Sequence, residues 1–166
     1  MEIVNRVAGS GLITIDLQDL VDQALFECID IRPALWQGLA LREADLKSFT
    51  EDLLLQDFSH KVLWLDIPSD IVVPQWAFIW MQSKLYGKTK GFFLGPLLDA
   101  QRSFLKSHIL NMQESDWEGK RVVIKGCTDQ RITPEIQMLL VDRLLPWVKS
   151  LMYGEPCSTV PLFKRS

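Results

Sequence analysis

The sequence predicts an α/β protein: a single domain with a mainly parallel sheet made from a duplicated βαβ unit, and short antiparallel strands at the N-terminal end. Three observations carry that expectation. The chain matches itself at a shift of about 59 residues. Apolar runs of strand length alternate with helical patterns of about ten to fifteen residues. A length of 166 residues with 48% hydrophobic content provides for one well-buried core.

The self-match is specific in its spacing. Asp57-Phe58-Ser59-His60-Lys61 leads into Val62-Leu63-Trp64-Leu65, then Ser69-Asp70, then Val73-Pro74. Asp116-Trp117-Glu118-Gly119-Lys120 leads into Val122-Val123-Ile124, then Thr128-Asp129, then Thr133-Pro134. The second proline arrives one residue later than the first. The copies run over about residues 39–95 and 96–154, with an extended C-terminal tail over residues 155–166. Such a period implies equivalent strand–turn–helix units with equivalent positions at their strand ends.

The elements follow in order. Gly9-Ser10-Gly11 separates two β-branched, partly alternating stretches at residues 3–8 and 12–17, which read as a pair of short strands. Residues 25–31 have the same character and are expected to pair with them. Leu46, Phe49, Leu53 and Leu54 recur at helical spacing among charges, the pattern of an amphipathic helix. Val62 to Leu65 is a continuous apolar run, as in strands buried on both faces.

The helix that follows opens near Pro74, where a missing N–H costs nothing. Residues 76–81 make it apolar nearly all round, which places it deep or at a protein interface. Residues 91–95 form the next strand, and Leu97, Leu98, Phe104, Leu105 and Ile109 mark a helix after it. The second copy repeats the scheme: a strand at residues 122–124, then a helix from Pro134 striped by Ile136, Leu139, Leu140, Leu144 and Trp147. Pro146 ends or bends that helix. Residues 150–153 form the last strand.

Composition excludes several classes. A net charge of -3 and a pI near 5.4 argue against a nucleic-acid binder, which needs a basic face for phosphates. The longest apolar stretch, residues 76–81, falls far short of the roughly 20 residues that span a bilayer. The start shows no basic region followed by a sustained apolar run, so no signal peptide is read there. Cys28, Cys127 and Cys157 form no CxxC pair, so a secreted disulfide framework is not indicated and the cytoplasm is expected.

Chemistry in open α/β sheets gathers beyond the carboxyl ends of strands. Three segments meet that condition: Pro68-Ser69-Asp70, Cys127-Thr128-Asp129, and Gly154-Glu155-Pro156-Cys157-Ser158. If the strands of Ile124 and Met152 are neighbours, Cys127 and Cys157 leave the same edge. A thiol acts as thiolate, and a helix N-terminus such as that at Pro134 favours the anion. This gives a candidate soft-metal, iron–sulfur or redox thiol site; the plainer reading is that both cysteines pack in the interior. Asp70 and Asp129 read either as acid, base or metal ligand, or as the turn and cap residues that precede a helix. His60 and His108 lie away from the strand exits and are expected to be solvated. Trp64, Trp76, Trp80 and Trp147 read as core or interface. No Walker, GxSxG or dinucleotide fingerprint occurs, and no cofactor follows from the residues.

One resemblance is carried by particular segments. Glu2-Ile3-Val4-Asn5-Arg6-Val7-Ala8, Ile13-Thr14-Ile15-Asp16-Leu17, Gln37-Gly38-Leu39 with Arg42-Glu43, Lys125-Gly126-Cys127, and above all the block from Met152 through Tyr153-Gly154-Glu155-Pro156-Cys157-Ser158-Thr159-Val160-Pro161 to Leu162 resemble the bacterial domain-of-unknown-function family 2480. The likeness covers essentially the whole chain. It implies a small cytoplasmic bacterial protein with no assigned reaction, associated with iron–sulfur cluster assembly. Carried over, it points to Cys127, Cys157, Asp129 and Glu155, with Thr128 and Ser158 beside them. Ser69 and Asp70 are the first-copy equivalents. Members often have a cysteine before that first turn, where this chain has Pro68, so the first-copy site is degenerate here.

The leading expectation is a non-enzymatic accessory or binding factor with a thiol site. One rival is a cysteine-dependent enzyme, for which no base is evident. Another is a structural module that forms homodimers through the apolar helix at residues 76–81. A protein partner or self-association is expected, with neither nucleic acid nor membrane.

Overall fold

The computed structural model describes residues 5–6, 11–126, 128–155 and 158–165. In chain order the elements are β1 (Asn5–Arg6), β2 (Leu12–Ile15), α1 (Leu17–Asp22), β3 (Leu25–Cys28), β4 (Leu35–Trp36), β5 (Ala40–Leu41), α2 (Glu43–Leu53), β6 (Lys61–Leu65), α3 (Gln75–Leu85) and β7 (Gly91–Leu94). There follow α4 (Leu97–Leu110), β8 (Arg121–Ile124), α5 (Pro134–Leu144), β9 (Ser150–Glu155) and β10 (Ser158–Lys164). The α/β class with mainly parallel pairing is as the sequence predicts. The expected one parallel sheet is instead two.

The chain divides into two compact units. One is continuous, Ala24–Ala100; the other combines Met1–Gln23 with Gln101–Ser166. The discontinuous unit holds a five-stranded sheet in the order β1-β2-β8-β9-β10, in which β2, β8 and β9 are parallel and the two outer pairings antiparallel. The continuous unit holds the parallel sheet β3-β6-β7 and the small antiparallel pair β4-β5.

Burial explains each strand. Val122, Val123 and Ile124 are all buried, although successive side chains of a strand point to opposite faces, so β8 is covered on both sides. Val62 and Leu63 do the same for β6. In α5, Ile136, Leu140 and Leu144 recur every fourth residue and are fully buried, which sets one face of the helix inward. In α3 the inward stripe is Ala77, Met81 and Leu85, packed with Leu46, Leu63 and Leu65 in the core of the continuous unit.

The duplication is visible in hydrogen bonds. The N–H of Lys61 donates to the carbonyl of Phe58 at 2.9 Å, and the N–H of Lys120 to that of Trp117 at 3.1 Å. Then Lys90 N–H reaches the Lys61 carbonyl and Lys149 N–H the Lys120 carbonyl, both at 2.8 Å. Every donor and acceptor in the second set lies 59 residues after its counterpart in the first. The lead-in aromatics explain why the pattern persists: Phe58 is 3% and Trp117 6% exposed, so each plugs the amino end of its own strand.

Several expectations are corrected. Residues 25–28 pair with β6 rather than with the N-terminal strands. The C-terminal tail is not merely extended: it folds back as β10, antiparallel to β9. Pro161 is tolerated there because β10 is an edge strand, and the register shifts between Pro161 and Phe163. Of the two places expected for the helix at residues 76–81, deep or at an interface, the first does not hold for the whole segment, since Trp76 is 41% and Ile79 72% exposed. His108 is half-buried rather than solvated, while His60 is exposed. Among the described residues, no helix is long and apolar enough to cross a membrane.

Candidate functional site

Strands β2 and β8 end side by side, while β9 runs level with them as far as Tyr153 and continues to Glu155 against β10. Ile15 is in register with Ile124, and Ile124 with Tyr153. The residues that follow these positions therefore share one edge of the sheet. Asp16 leaves β2 as the N-cap of α1, its carboxylate accepting from the N–H groups of Gln18 at 2.9 Å and Asp19 at 3.3 Å. The same carboxylate takes the Lys125 ammonium at 2.6 Å, where Lys125 is the first residue beyond β8. That hydrogen bond raises the Lys125 pKa above its ordinary value, helped by the negative charges of Glu155 and Asp19.

Gly126 comes next. A Cβ placed there would lie 3.8 Å from the hydroxyl end of Tyr153 and 3.9 Å from the Cα of Gly154, so this backbone runs close beside β9. Gly154 has φ +124, and a Cβ on it would stand 2.6 Å from the carbonyl oxygen of Ser158. Only glycine lets the hairpin of β9 and β10 close this tightly.

Asp129 lies five residues past β8, in the turn before α5. Its Oδ1 accepts from the Arg131 N–H at 2.8 Å, and both carboxylate oxygens take the Arg131 guanidinium. Arg131 also reaches Asp22 at the end of α1, at 2.7 Å. Its side chain is 17% exposed, against 14% for Asp129 and 50% for Asp22. The guanidinium holds the Asp129 carboxyl below its usual range, and Asp129 with Asp22 holds the Arg131 pKa above its own. The effect is a clamp that fixes the turn after β8 against α1.

The predicted residues divide accordingly. Thr128 and Glu155 are exposed at this edge, Ser158 is exposed and paired with Glu155 across the hairpin, and Asp129 is half-buried in the clamp. Cys127 and Cys157 lie outside the described residues. Asp70 takes the matching place in the first copy, five residues past β6, a strand of the other sheet. It and Ser69 occupy an exposed turn closed by the Ile71 N–H donating to the Pro68 carbonyl at 3.1 Å. Neither aspartate caps a helix: the N-cap of α3 is Pro74 and that of α5 is Thr133, both without a side-chain cap bond. Asp129 does serve its turn.

The pairing of Asp16 with Lys125, and Arg131 with its two carboxylates, is what sequence reasoning missed. Asp16 did carry a signal: an aspartate between an apolar strand and a helix with acid in its first turn is an N-cap pattern. Cys28 is exposed at the end of β3. Among the described residues, no three His, Cys, Asp or Glu side chains gather closely enough to hold a metal ion.

Fold and edge together define the class: an α/β protein of two mainly parallel sheets, one of which presents a charged, strand-end edge. Within that class the chain belongs to a family whose model, described as "Protein of unknown function (DUF2480)", matches residues 1–165. No curated protein and no solved structure matches it.

Proposed function

We propose that this protein is a non-enzymatic accessory or binding factor of the bacterial cytoplasm, tied to iron–sulfur cluster assembly, whose ligand site is the carboxyl edge of β2, β8 and β9. The thiols proposed for it are Cys127 and Cys157, and the other residues proposed for it are Thr128, Asp129, Glu155 and Ser158. The observation that carries this reading is the register in which the parallel pairing of β2, β8 and β9 stops at one level, Ile15, Ile124 and Tyr153, at the place where such sheets bind ligands. Lys125 and Arg131, two cations near the edge, are each engaged by carboxylates. That favours a rigid binding surface over proton transfer. An iron–sulfur cluster takes about four thiolate or equivalent ligands, so two thiols suit a factor that shares a cluster with a partner.

The test is alkylation with iodoacetamide from pH 5 to 9, read by mass spectrometry on the native chain, with Cys127→Ser and Cys157→Ser as site controls. Reaction well below the ordinary thiol range of about 8.5 supports the reading. Anaerobic addition of ferrous iron and sulfide, with iron content compared between the native chain and the double cysteine variant, tests the cluster. Thiols that react only after unfolding, together with equal iron content in both chains, would overturn it.

A second reading, self-association, rests on one observation. On α3, Trp76 is 41% and Ile79 72% exposed, and Val72 before the helix and Tyr86 after it are 77% and 83% exposed, so large apolar side chains meet solvent on and beside it. Ile79→Glu should then shift the protein from dimer to monomer in sedimentation equilibrium. A native chain that is monomeric at all concentrations removes this reading.

A further inference from the structure

A recess between α2 and α3 gathers positive charge around one tryptophan. It encloses about 470 Å³ and is lined by Lys47, Thr50, Glu51, Leu54, Trp80, Lys84 and Lys88. That volume lies within the range of small-ligand sites, about 300–1,000 Å³. Trp80 forms its wall, and two ammonium groups lie over the same indole: Lys84 Nζ 4.4 Å and Lys47 Nζ 5.3 Å from the ring centroid. Lys88 lies three residues past the end of α3, in the turn that follows it.

Three ammoniums and one carboxylate, Glu51, face this space. Lys47 is paired with Glu43 at 2.6 Å. Among the described residues, Lys84 and Lys88 have no carboxylate within ion-pair distance. The ring faces offset part of the repulsion, since a cation over an indole gains about 0.5–2 kcal/mol, but they leave the net charge in place. A second observation is independent of the first: the Trp80 indole Nε1 is buried and has no hydrogen-bond acceptor. Buried donors without partners are rare, because losing water without replacement costs about 1–3 kcal/mol. Two cations over the ring withdraw electron density from it and strengthen that N–H as a donor.

We propose that this recess binds a small, multiply charged oxyanion, of phosphate or polycarboxylate type. Lys84 and Lys88 supply the point charges, Lys47 turns from Glu43 to join them, and a small movement of Trp80 gives its N–H the acceptor it lacks. Lysine suits this task because its three donors rotate freely around a compact charge. The site is separate from the strand-end edge and stands whether or not that edge binds a thiol-dependent ligand.

The experiment follows the Trp80 indole N–H by NMR in the full chain, its signal assigned by loss in Trp80→Phe. Sodium pyrophosphate and sodium citrate are titrated in turn at constant ionic strength, which removes general screening. The expected result is a saturable shift of that signal with one or both anions. The variant carrying Lys84→Gln and Lys88→Gln should weaken binding about ten-fold or more, and its urea midpoint, which falls only by the lost contact of Lys84 with the Trp80 ring, should show it still folded at the titration temperature. Saturation with pyrophosphate alone identifies phosphate chemistry, and with citrate alone carboxylate chemistry. A linear response to both anions, or equal affinity in the double variant, overturns the proposal.

Discussion

The Lys125 ammonium sits 2.6 Å from the Asp16 carboxylate, joining the ends of two adjacent parallel strands whose residues are 109 positions apart in the chain. Asp16 thereby does two things at once, capping α1 and anchoring β8. Its side chain is 13% exposed and that of Lys125 42%, so solvent weakens the ion pair while the cap is largely sheltered.

Asp16→Ala should therefore lower stability by about 1–2 kcal/mol, most of it from the lost cap. Lys125→Met should cost less, below about 1 kcal/mol. Urea unfolding of the two variants checks the order, and a larger loss for Lys125→Met would show that the ion pair dominates.

Arg131 is engaged from two sides, by Asp129 and Asp22. Arg131→Ala should cost about 1.5–3 kcal/mol, the range for hydrogen bonds to charged groups. Arg131→Lys keeps the charge but loses the fork, so it should recover less than half of that loss. The Asp129 pKa is depressed in the folded state, so its contribution is full above its unfolded value and fades as pH falls through the lower folded one. In Arg131→Ala this acid-side loss should shrink, which urea midpoints at descending pH would reveal.

Gly154→Ala should destabilise by about 1–3 kcal/mol, because the new Cβ meets the Ser158 carbonyl oxygen and φ is positive. Gly126→Ala, with only ordinary contacts at 3.8 Å or more, should cost less. Thermal unfolding of both variants tests the contrast.

His108 is half-buried on α4, and that burial lowers its pKa. The unfolded chain then takes up this proton at a higher pH than the folded one, so stability falls as pH drops below about 6.5. His108→Gln should flatten the decline between about pH 7 and pH 5. An unchanged slope in that window would assign the decline to other groups.

What was legible followed from periodicity. The strands β6 and β8, the helices α3 and α5, and the 59-residue repeat all announce themselves through apolar spacing and the recurring lead-ins at Asp57 and Asp116. What was not legible depended on choosing partners. Residues 25–28 read as a strand, but nothing in their pattern says that β6 rather than β2 will take them. The prolines in the tail disguised β10, because a strand that forms an edge does not need every N–H. The helix α1 has six residues, too few for a periodic signal, and shows itself only through its Asp16 cap. In α3, spacing of four among Ala77, Met81 and Leu85 was enough to bury one side, with Phe78 and Trp80 packed at its margins, so Trp76 and Ile79 were left free to face outward. At the candidate edge the strand-end residues could be named from sequence, whereas the ties from Asp16 to Lys125 and from Asp22 to Arg131 bridge a chain separation that no local pattern encodes.

The discontinuity of one compact unit has a consequence for synthesis on the ribosome. Strand β2 is made early, but the strand it pairs with in parallel is translated only after all of Ala24–Ala100 has emerged. Until then β2 has no neighbour on that side, and its apolar residues wait in an incomplete sheet. The continuous unit is under no such delay, since β3, β6 and β7 are delivered within one uninterrupted stretch. Vectorial folding should thus run from the inside of the sequence outward, with the strand-end edge among the last features to form.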